Sequence, residues 1–208
     1  MTTFFLIRHA SCDGLGRTLW GRTPGVCLNE EGKVEAQQLA ETCAEMRFDA
    51  VYSSPLERAL ETAEALASRM KLEITRSAAL NEIDFGEWSG KTFAQLHDDE
   101  RWRHFNSRRS TANVPGGESF LEVQNRVVKE IDRLSREHNG ARVALISHAD
   151  PIRAAVAYFA ATPIDLIERF EISPCSVSVI LIDEEHVKLL TINDGLSRKG
   201  AKPQKEDL

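Results

Sequence analysis

The chain has 208 residues, of which 42% are hydrophobic and 28% charged, and its formal net charge is −6. This length and composition predict a globular protein, since there is enough chain for one substantial core. The negative charge argues against a nucleic-acid-binding protein, which needs a basic face. No apolar run reaches the length of a membrane span, and the first residues lack the basic start of a secretory signal. We therefore expect a cytoplasmic protein with no membrane partner.

The predicted elements of the first half alternate between strand and helix. A buried strand covers residues 3–7, and Asn29 is the expected N-cap of the first helix. A second strand covers 49–52. The next helix is expected to begin with Ser54 as N-cap and Pro55 at its first position, and a third strand follows at 72–75.

The second half continues the alternation and ends in a hairpin. The expected elements are a helix at 92–104, an amphipathic helix at 118–138, a buried strand at 142–147, a helix at 151–160, a short helix from Pro163, and hairpin strands at 176–182 and 187–192. This order predicts an α/β three-layer sandwich, in which a mostly parallel central sheet has helices on both faces and one antiparallel edge strand. We expect one domain over residues 1–196 and a flexible polar tail over 197–208. The edge hairpin could pair between subunits in a homodimer.

Two segments repeat one pattern, in which an apolar strand ends in a histidine. Arg8 and His9 follow the first strand, and Ser147 and His148 follow the strand at 142–147. If these strands are parallel neighbours, both imidazoles lie at the carboxyl edge of the sheet, where ligands bind in open α/β folds. Arg58, just past the end of the second strand, points to the same edge.

A pocket of two arginines and two histidines is suited to a phosphate dianion. Arginine supplies permanently charged, bidentate donors for phosphate oxygens. A neutral histidine can attack phosphorus, and a nearby carboxylic acid can protonate the leaving alkoxide. Glu82 lies in a suitable acidic loop, although Asp84 and Glu87 share that loop.

The chain resembles the histidine phosphatase superfamily, which includes cofactor-dependent phosphoglycerate mutases. The matching motifs occur in order and are LIRHA at 6–10, LNEEG at 28–32, SSPLERALETA at 53–63, EIDFGEWSG at 82–90, PGGES at 115–119 and SHA at 147–149. The resemblance implies a metal-independent phosphatase that acts on small phosphate esters through a phosphohistidine, with no metal and no organic cofactor. In that case His9 is the nucleophile and Glu82 the proton donor and later the base. The implied phosphoryl-binding residues are Arg8, Ser11, Arg58, His148 and Ala149.

The loop after Ala10 departs from the family pattern. Family members commonly continue with Gly-Glu-Thr and an Asn soon after, whereas this chain has Ala10 and then Ser-Cys-Asp at 11–13. The missing Asn removes a usual phosphate contact, and we expect Ser11 to offer a hydrogen bond instead. Cys12 lies near the anion site, where a thiolate would be favoured. The other cysteines, Cys27, Cys43 and Cys175, show no metal-ligand spacing.

The substrate side of the pocket is less well defined. A basic run follows the acidic loop and contains Arg101, Arg103, His104, Arg108 and Arg109. These residues either bind a second anionic group of the substrate or, as we favour, form a solvated helix face paired with acidic neighbours. Arg17 and Arg22 of the first loop could also reach substrate. Two alternatives to the phosphatase stay open, namely a cofactor-dependent phosphoglycerate mutase and a non-catalytic phosphate-binding module.

Overall fold

The computed structural model describes residues 1–195, and the predicted tail at 197–208 lies outside them. The strands are β1 (Thr2–Arg8), β2 (Ala50–Ser53), β3 (Ile74–Arg76), β4 (Arg142–Ser147), β5 (Val177–Ile182) and β6 (Val187–Asp194). The α-helices are α1 (Glu30–Cys43), α2 (Glu57–Met70), α3 (Phe93–Leu96), α4 (Glu100–Ser107), α5 (Phe120–Glu137) and α6 (Ala149–Phe159). Short 3-10 helices occupy Ala44–Met46, Ala78–Leu80, Gly86–Trp88 and Ile164–Arg169. Among residues 1–195, no helix is both long enough and apolar enough to cross a bilayer.

All six strands form one sheet in the order β3-β2-β4-β1-β5-β6. Strands β3, β2, β4 and β1 are parallel to one another, whereas β5 runs antiparallel to both β1 and β6. The predicted α/β class and the edge hairpin are confirmed. The strand that runs against the others is β5, which lies one position in from the edge, and β6 is the edge strand.

The central strands send alternate side chains into two cores, one on each face of the sheet. Phe5 and Ile7 of β1 pack with the buried faces of α1 and α2. Phe4 and Leu6 pack on the opposite face with α5 and α6. Because both faces are covered, these strands are continuous apolar runs rather than alternating ones. The sheet is therefore a rigid base that fixes where each parallel strand ends.

Two predicted helix boundaries are wrong. Helix α2 begins at Glu57 with Leu56 as N-cap, because the Arg58 N–H donates to the Val26 carbonyl at 3.2 Å rather than to the Ser54 carbonyl. The Ser54 oxygen still accepts from the Leu56 N–H at 3.3 Å. The single helix expected at 92–104 is two helices. Asp99 caps the second of them, since its carboxylate accepts from the backbone N–H groups of Arg101 and Trp102. The prediction of one domain over 1–196 stays a prediction.

We predict a large difference in stability between two four-carbon side chains of α5. Ile131 is 0% exposed in the core against the sheet, whereas Leu121 is 44% exposed. Ile131→Ala should lower the free energy of unfolding by about 2–5 kcal/mol, because it leaves a cavity in a close-packed core. Leu121→Ala, the matched control, should change it by less than about 0.5 kcal/mol. Urea unfolding followed by circular dichroism measures both values, and equal losses would contradict this packing.

Candidate active site

The ends of β1 and β4 bring two histidine rings together. The strands pair in parallel with Arg8 opposite Ser147, so His9 and His148 each follow the last residue of adjacent strands. Their ring centroids are 5.0 Å apart at an interplanar angle of 61°. Both side chains are buried. The expected meeting of the two imidazoles at the carboxyl edge of the sheet is observed.

The hydrogen bonds of His9 leave one ring nitrogen available as a nucleophile. Nδ1 donates to the Ala10 carbonyl at 2.7 Å, so Nε2 carries the lone pair of the neutral ring. Arg58 Nε donates to that Nε2 at 3.2 Å. Burial lowers the pKa of His9 well below its ordinary value, and the charges of Arg58 and Arg8 lower it further. A neutral imidazole with an unprotonated Nε2 can attack an electrophilic phosphorus.

Arg58 lies beside His9 in the first turn of α2 and is buried. Its Nη2 donates to the Gly21 carbonyl at 2.8 Å, while its Nη1 is buried with no hydrogen-bond partner in the described chain. The alternative of a surface ion pair with Glu61 is wrong, because Arg58 is only 2% exposed and its guanidinium donates to His9 and Gly21 instead. Arg58 therefore brings a buried positive charge with an unused donor to the nucleophile.

Arg8 and His148 also present unpaired polar atoms. Arg8 Nη1 donates to the Ile172 carbonyl at 2.6 Å, whereas its Nε has no partner within residues 1–195. His148 Nε2 donates to Ser54 Oγ at 2.8 Å, since the Ser54 proton goes to Asn81 Oδ1, and the buried, unprotonated Nδ1 has no partner there either. Burial lowers the pKa of His148 well below its ordinary value, and the charge of Arg58 adds to this effect. Buried polar atoms without partners cost free energy, so an anion would satisfy the two arginine nitrogens, and its negative charge would favour a proton on His148 Nδ1.

Glu82 is a partly buried carboxyl on the loop after the Ala78–Leu80 turn. Burial raises its pKa to about 7, with a further increase from the negative charge of Asp150. The Ile83 N–H, which donates to Glu82 Oε1 at 3.0 Å, and the charges of Arg58 and Arg8 oppose this increase. The sequence alone does not decide whether burial or the arginine charges have the larger effect on this pKa; in the structure burial has the larger effect. A carboxyl with a pKa near neutrality can both donate and accept a proton at physiological pH.

The other acids of this loop are engaged elsewhere. Asp84 Oδ1 accepts from the Gly86 N–H at 3.0 Å, and Glu87 lies 3.5 Å from Arg101 with 59% of its side chain exposed. Of the three acids, Glu82 is the one whose charge acts on Arg8 and Arg58. Glu82 is therefore the acid of this loop that is best placed to act on a bound phosphate ester.

The remaining predicted phosphate contacts are less clearly defined. The Ser11 N–H donates to Glu35 Oε2 at 2.8 Å, and the Ser11 side chain is partly exposed. Ala149 is the first residue of α6, so its N–H lies at a helix N-terminus. The expectation that the anion site favours a thiolate at Cys12 is wrong, since burial raises the pKa of that thiol more than the charges of Arg58 and Arg8 lower it. The roles of Ser11 and Ala149 stay predictions.

The basic run at 101–109 divides between surface and core. Arg101 pairs with Asp99 at 3.4 Å, and Arg103 lies 3.9 Å from Glu100, so both are on the solvated face that we favoured. Arg108 is exposed. Arg109 departs from the expectation, because it is buried over the rings of Phe105 and Phe120 and pairs with Glu168.

The sequence did not predict the roles of two residues around the site, Ser54 and Arg126. Ser54 contacts both His148 and Asn81, although it was interpreted as a helix cap. Arg126 was read only as part of an amphipathic helix, and it donates to the Glu82 carbonyl at 3.2 Å. The Ser-Ser-Pro motif could have indicated the first contact. No local pattern predicts the second, because its acceptor is a backbone carbonyl far away in the sequence.

Comparison with known proteins agrees with this arrangement. The family model of the histidine phosphatase superfamily (branch 1) matches residues 4–195. Phosphoserine phosphatase 1 of Hydrogenobacter thermophilus is 30% identical over 201 residues, which cover 93% of this chain and 92% of that protein. The structure of Bacillus stearothermophilus YhfR is similar with a TM-score of 0.88 and 26% identity, covering 94% of this chain and 100% of that one. A phosphoserine phosphatase of Entamoeba histolytica, solved in complex with 3-phosphoglyceric acid, has a TM-score of 0.85 and 25% identity over 93% of this chain and 98% of its own.

The raised pKa of Glu82 predicts how stability depends on pH. The folded protein keeps this proton up to about pH 7, whereas an ordinary Glu releases it near 4.5. The contribution of the carboxyl to stability is therefore complete below pH 4.5, the ordinary pKa, and is lost as pH rises through about 7, the pKa in the folded protein. Between these two values the free energy of unfolding should fall by up to about 1.4 kcal/mol per pH unit. Glu82→Gln cannot titrate, so its free energy of unfolding relative to wild type should increase over this range and then level off.

Urea unfolding at pH 4, 5, 6, 7 and 8 measures this difference. Glu87→Gln, an exposed carboxyl of the same loop, controls for the loss of a carboxyl from this segment. A difference between Glu82→Gln and wild type that does not change with pH would contradict the raised pKa.

Proposed function

We propose that this chain, which belongs to branch 1 of the histidine phosphatase superfamily, hydrolyses phosphate monoesters through a phosphohistidine at His9. The observation that carries the proposal is the lone pair of a neutral, buried His9 Nε2 beside three unpaired nitrogens of Arg8, Arg58 and His148. A phosphoryl group would accept hydrogen bonds from Arg8 Nε and Arg58 Nη1, and from His148 Nδ1 once that nitrogen is protonated, and present its phosphorus to the nucleophile.

In the first step, His9 Nε2 attacks phosphorus. The N–P bond forms as the bond between phosphorus and the ester oxygen breaks, and Glu82 gives its proton to the leaving alkoxide. Arg8 and Arg58 stabilise the charge on the non-bridging oxygens, which is the main task of a protein in phosphoryl transfer. His148, which takes up a proton at Nδ1 when the anion binds because the negative charge raises its pKa, donates a hydrogen bond to the same group. The alcohol then leaves.

In the second step, water attacks the phosphohistidine. The Glu82 carboxylate, which lost its proton in the first step, accepts a proton from this water as the new P–O bond forms and the N–P bond breaks. Inorganic phosphate leaves and His9 is neutral again. A pKa near 7 lets one carboxyl act first as acid and then as base. The two buried guanidinium groups supply the positive charge, so we propose that the reaction needs no metal ion.

The substrate is proposed only as a class, a small phosphate monoester. The similarity to phosphoserine phosphatase 1 makes phosphoserine the first ester to examine, and 3-phosphoglycerate belongs in the same panel. A phosphoglycerate mutase would instead isomerise 3-phosphoglycerate after priming by the bisphosphate. A non-catalytic module would bind phosphate and turn over none of these compounds.

We predict that the wild type hydrolyses 4-nitrophenyl phosphate and at least one ester of this panel in the presence of EDTA. His9→Ala should lose this activity, because no other group can form the phosphorylated intermediate. Its binding of inorganic phosphate, measured by calorimetry, should persist because the arginines stay in place. Activity that survives His9→Ala would contradict the mechanism. Absence of metal-independent hydrolysis by the wild type would contradict the function.

We also propose a homodimer that forms through the outer edge of β6. Within residues 1–195, that edge pairs with no strand, and Leu190 and Ile192 are 56% and 37% exposed on one side of it. Unpaired strand edges with apolar side chains favour pairing between copies, and charges on such an edge prevent it.

Sedimentation equilibrium should give the wild type twice the 23.3 kDa chain mass. The double variant Leu190→Glu, Ile192→Glu should sediment as a monomer, while Leu121→Glu on the exposed face of α5 should leave the dimer intact. A monomeric wild type would contradict the dimer without bearing on the phosphatase.

A further inference from the structure

The backbone carbonyl of Glu82 accepts hydrogen bonds from two guanidinium groups. Arg22 Nε donates at 2.9 Å and Arg126 Nη2 at 3.2 Å. Arg22 comes from the loop after β1, whereas Arg126 comes from α5, so the carbonyl is held from two separate parts of the fold. Charge-assisted donors are stronger than neutral ones. The main chain of the proposed proton donor is therefore fixed at the residue itself.

One carboxylate joins these two arginines. Glu118 Oε2 accepts from Arg22 Nη2 at 2.7 Å. Arg126 donates to Glu118 Oε1 at 2.8 Å through Nε and to Oε2 at 3.1 Å through Nη2, which is a bidentate pair. The side chains of Glu118 and Arg126 are only 15% and 18% exposed, so water screens this pair weakly.

The turn that carries Glu118 packs directly against the loop of Glu82. The Glu118 N–H donates to the Asp84 carbonyl at 2.9 Å. A Cβ on Gly117 would lie 2.2 Å from that same carbonyl oxygen, and a Cβ on Gly86 would lie 2.2 Å from the Pro115 carbonyl oxygen. Only glycine permits this approach of the two backbones. Both the main chain and the side chain of Glu118 therefore hold the acidic loop.

The same network reaches the phosphate side of the site. Gly21, the neighbour of Arg22, accepts from Arg58 Nη2 at 2.8 Å through its carbonyl. The loop after β1 thus contacts the Arg58 guanidinium with one residue and the Glu82 carbonyl with the next. This connection fixes the distance between the group that binds the phosphoryl oxygens and the group that protonates the ester oxygen.

We propose that Glu118 is a positioning residue for proton transfer by Glu82, acting through Arg22 and Arg126. The proposal rests on the proposed phosphatase function. A displacement of about 1 Å at a reacting group can lower a rate by about 10²-fold, so a loosened Glu82 should be a poor acid. Loss of the Glu118 charge also leaves Arg126 without a counter-ion and Arg22 with only Asp84, at 3.9 Å. The uncompensated positive charge near Glu82 would favour its ionised form, which has no proton to give.

The test compares two esters that differ in their need for a proton. An alkyl alkoxide needs a proton as it leaves, whereas 2,4-dinitrophenolate leaves as a stable anion. The readout is kcat/KM, which covers only the steps up to departure of the leaving group. Glu118→Gln should lower kcat/KM for phosphoserine, or for the alkyl phosphate that the wild type hydrolyses best, by about 10-fold or more. The value for 2,4-dinitrophenyl phosphate should stay within about twofold.

Two further variants complete the comparison. Glu130→Gln removes another arginine-paired carboxylate, from α5, whose side chain is only 11% exposed, and it should leave both values unchanged. Glu82→Gln should show the same selective loss as Glu118→Gln. The double variant Glu82→Gln, Glu118→Gln should lose no more activity on the alkyl phosphate than Glu82→Gln alone, because Glu118 acts only through Glu82.

Two results with Glu118→Gln would overturn the proposal for this residue. Equal losses on the two esters would show a general structural role for Glu118, and no loss on either would show no role. If Glu118→Gln fails to fold by circular dichroism, Arg126→Lys replaces the bidentate partner by a single donor and must give the same selective loss. A wild type inactive on both esters would instead refute the proposed phosphatase function.

Discussion

The parallel pairing of β1 with β4 is the constraint on which the rest of the site depends. Arg8 lies opposite Ser147, so His9 and His148, which follow these residues, lie side by side at the carboxyl ends of the two strands. β4 also pairs with β2, and the chain after β2 leads into the helix that carries Arg58. A register shift by one residue would turn the side chains of β1 to the opposite faces, which both cores forbid. Core packing thereby fixes the geometry of the polar site.

Burial at this edge acts in opposite directions on the two kinds of titratable group. It lowers the pKa of His9, which keeps the ring neutral and Nε2 unprotonated, and it raises the pKa of Glu82 to about 7, which keeps a proton on the carboxyl. The guanidinium groups of Arg8 and Arg58 favour the same state of the histidine and oppose that of the acid. One physical effect therefore prepares a nucleophile and a proton donor side by side.

The sequence predicted the elements whose signals are local. The apolar runs before His9 and His148 indicated the central strands, and the ordered motifs indicated the family. It failed where a distant partner decides the structure. The helix does not begin directly after Ser54 because the Arg58 N–H donates to the carbonyl of Val26, in the loop after β1. Arg109 is buried because Glu168, 59 residues away, pairs with it. The contacts on the Glu82 carbonyl were invisible for the same reason, since backbone acceptors leave no pattern in the sequence.

The central claim is that His9 Nε2 becomes phosphorylated during turnover. The most direct measurement is a rapid quench with the best ester, followed by mass spectrometry of the phosphopeptides under alkaline conditions, in which phosphohistidine survives. The account predicts a phosphoryl group on the peptide that contains His9, formed faster than the steady-state rate and absent from His9→Ala. Phosphorylation at another residue, or turnover with no phosphorylated enzyme together with direct transfer to water, would contradict it.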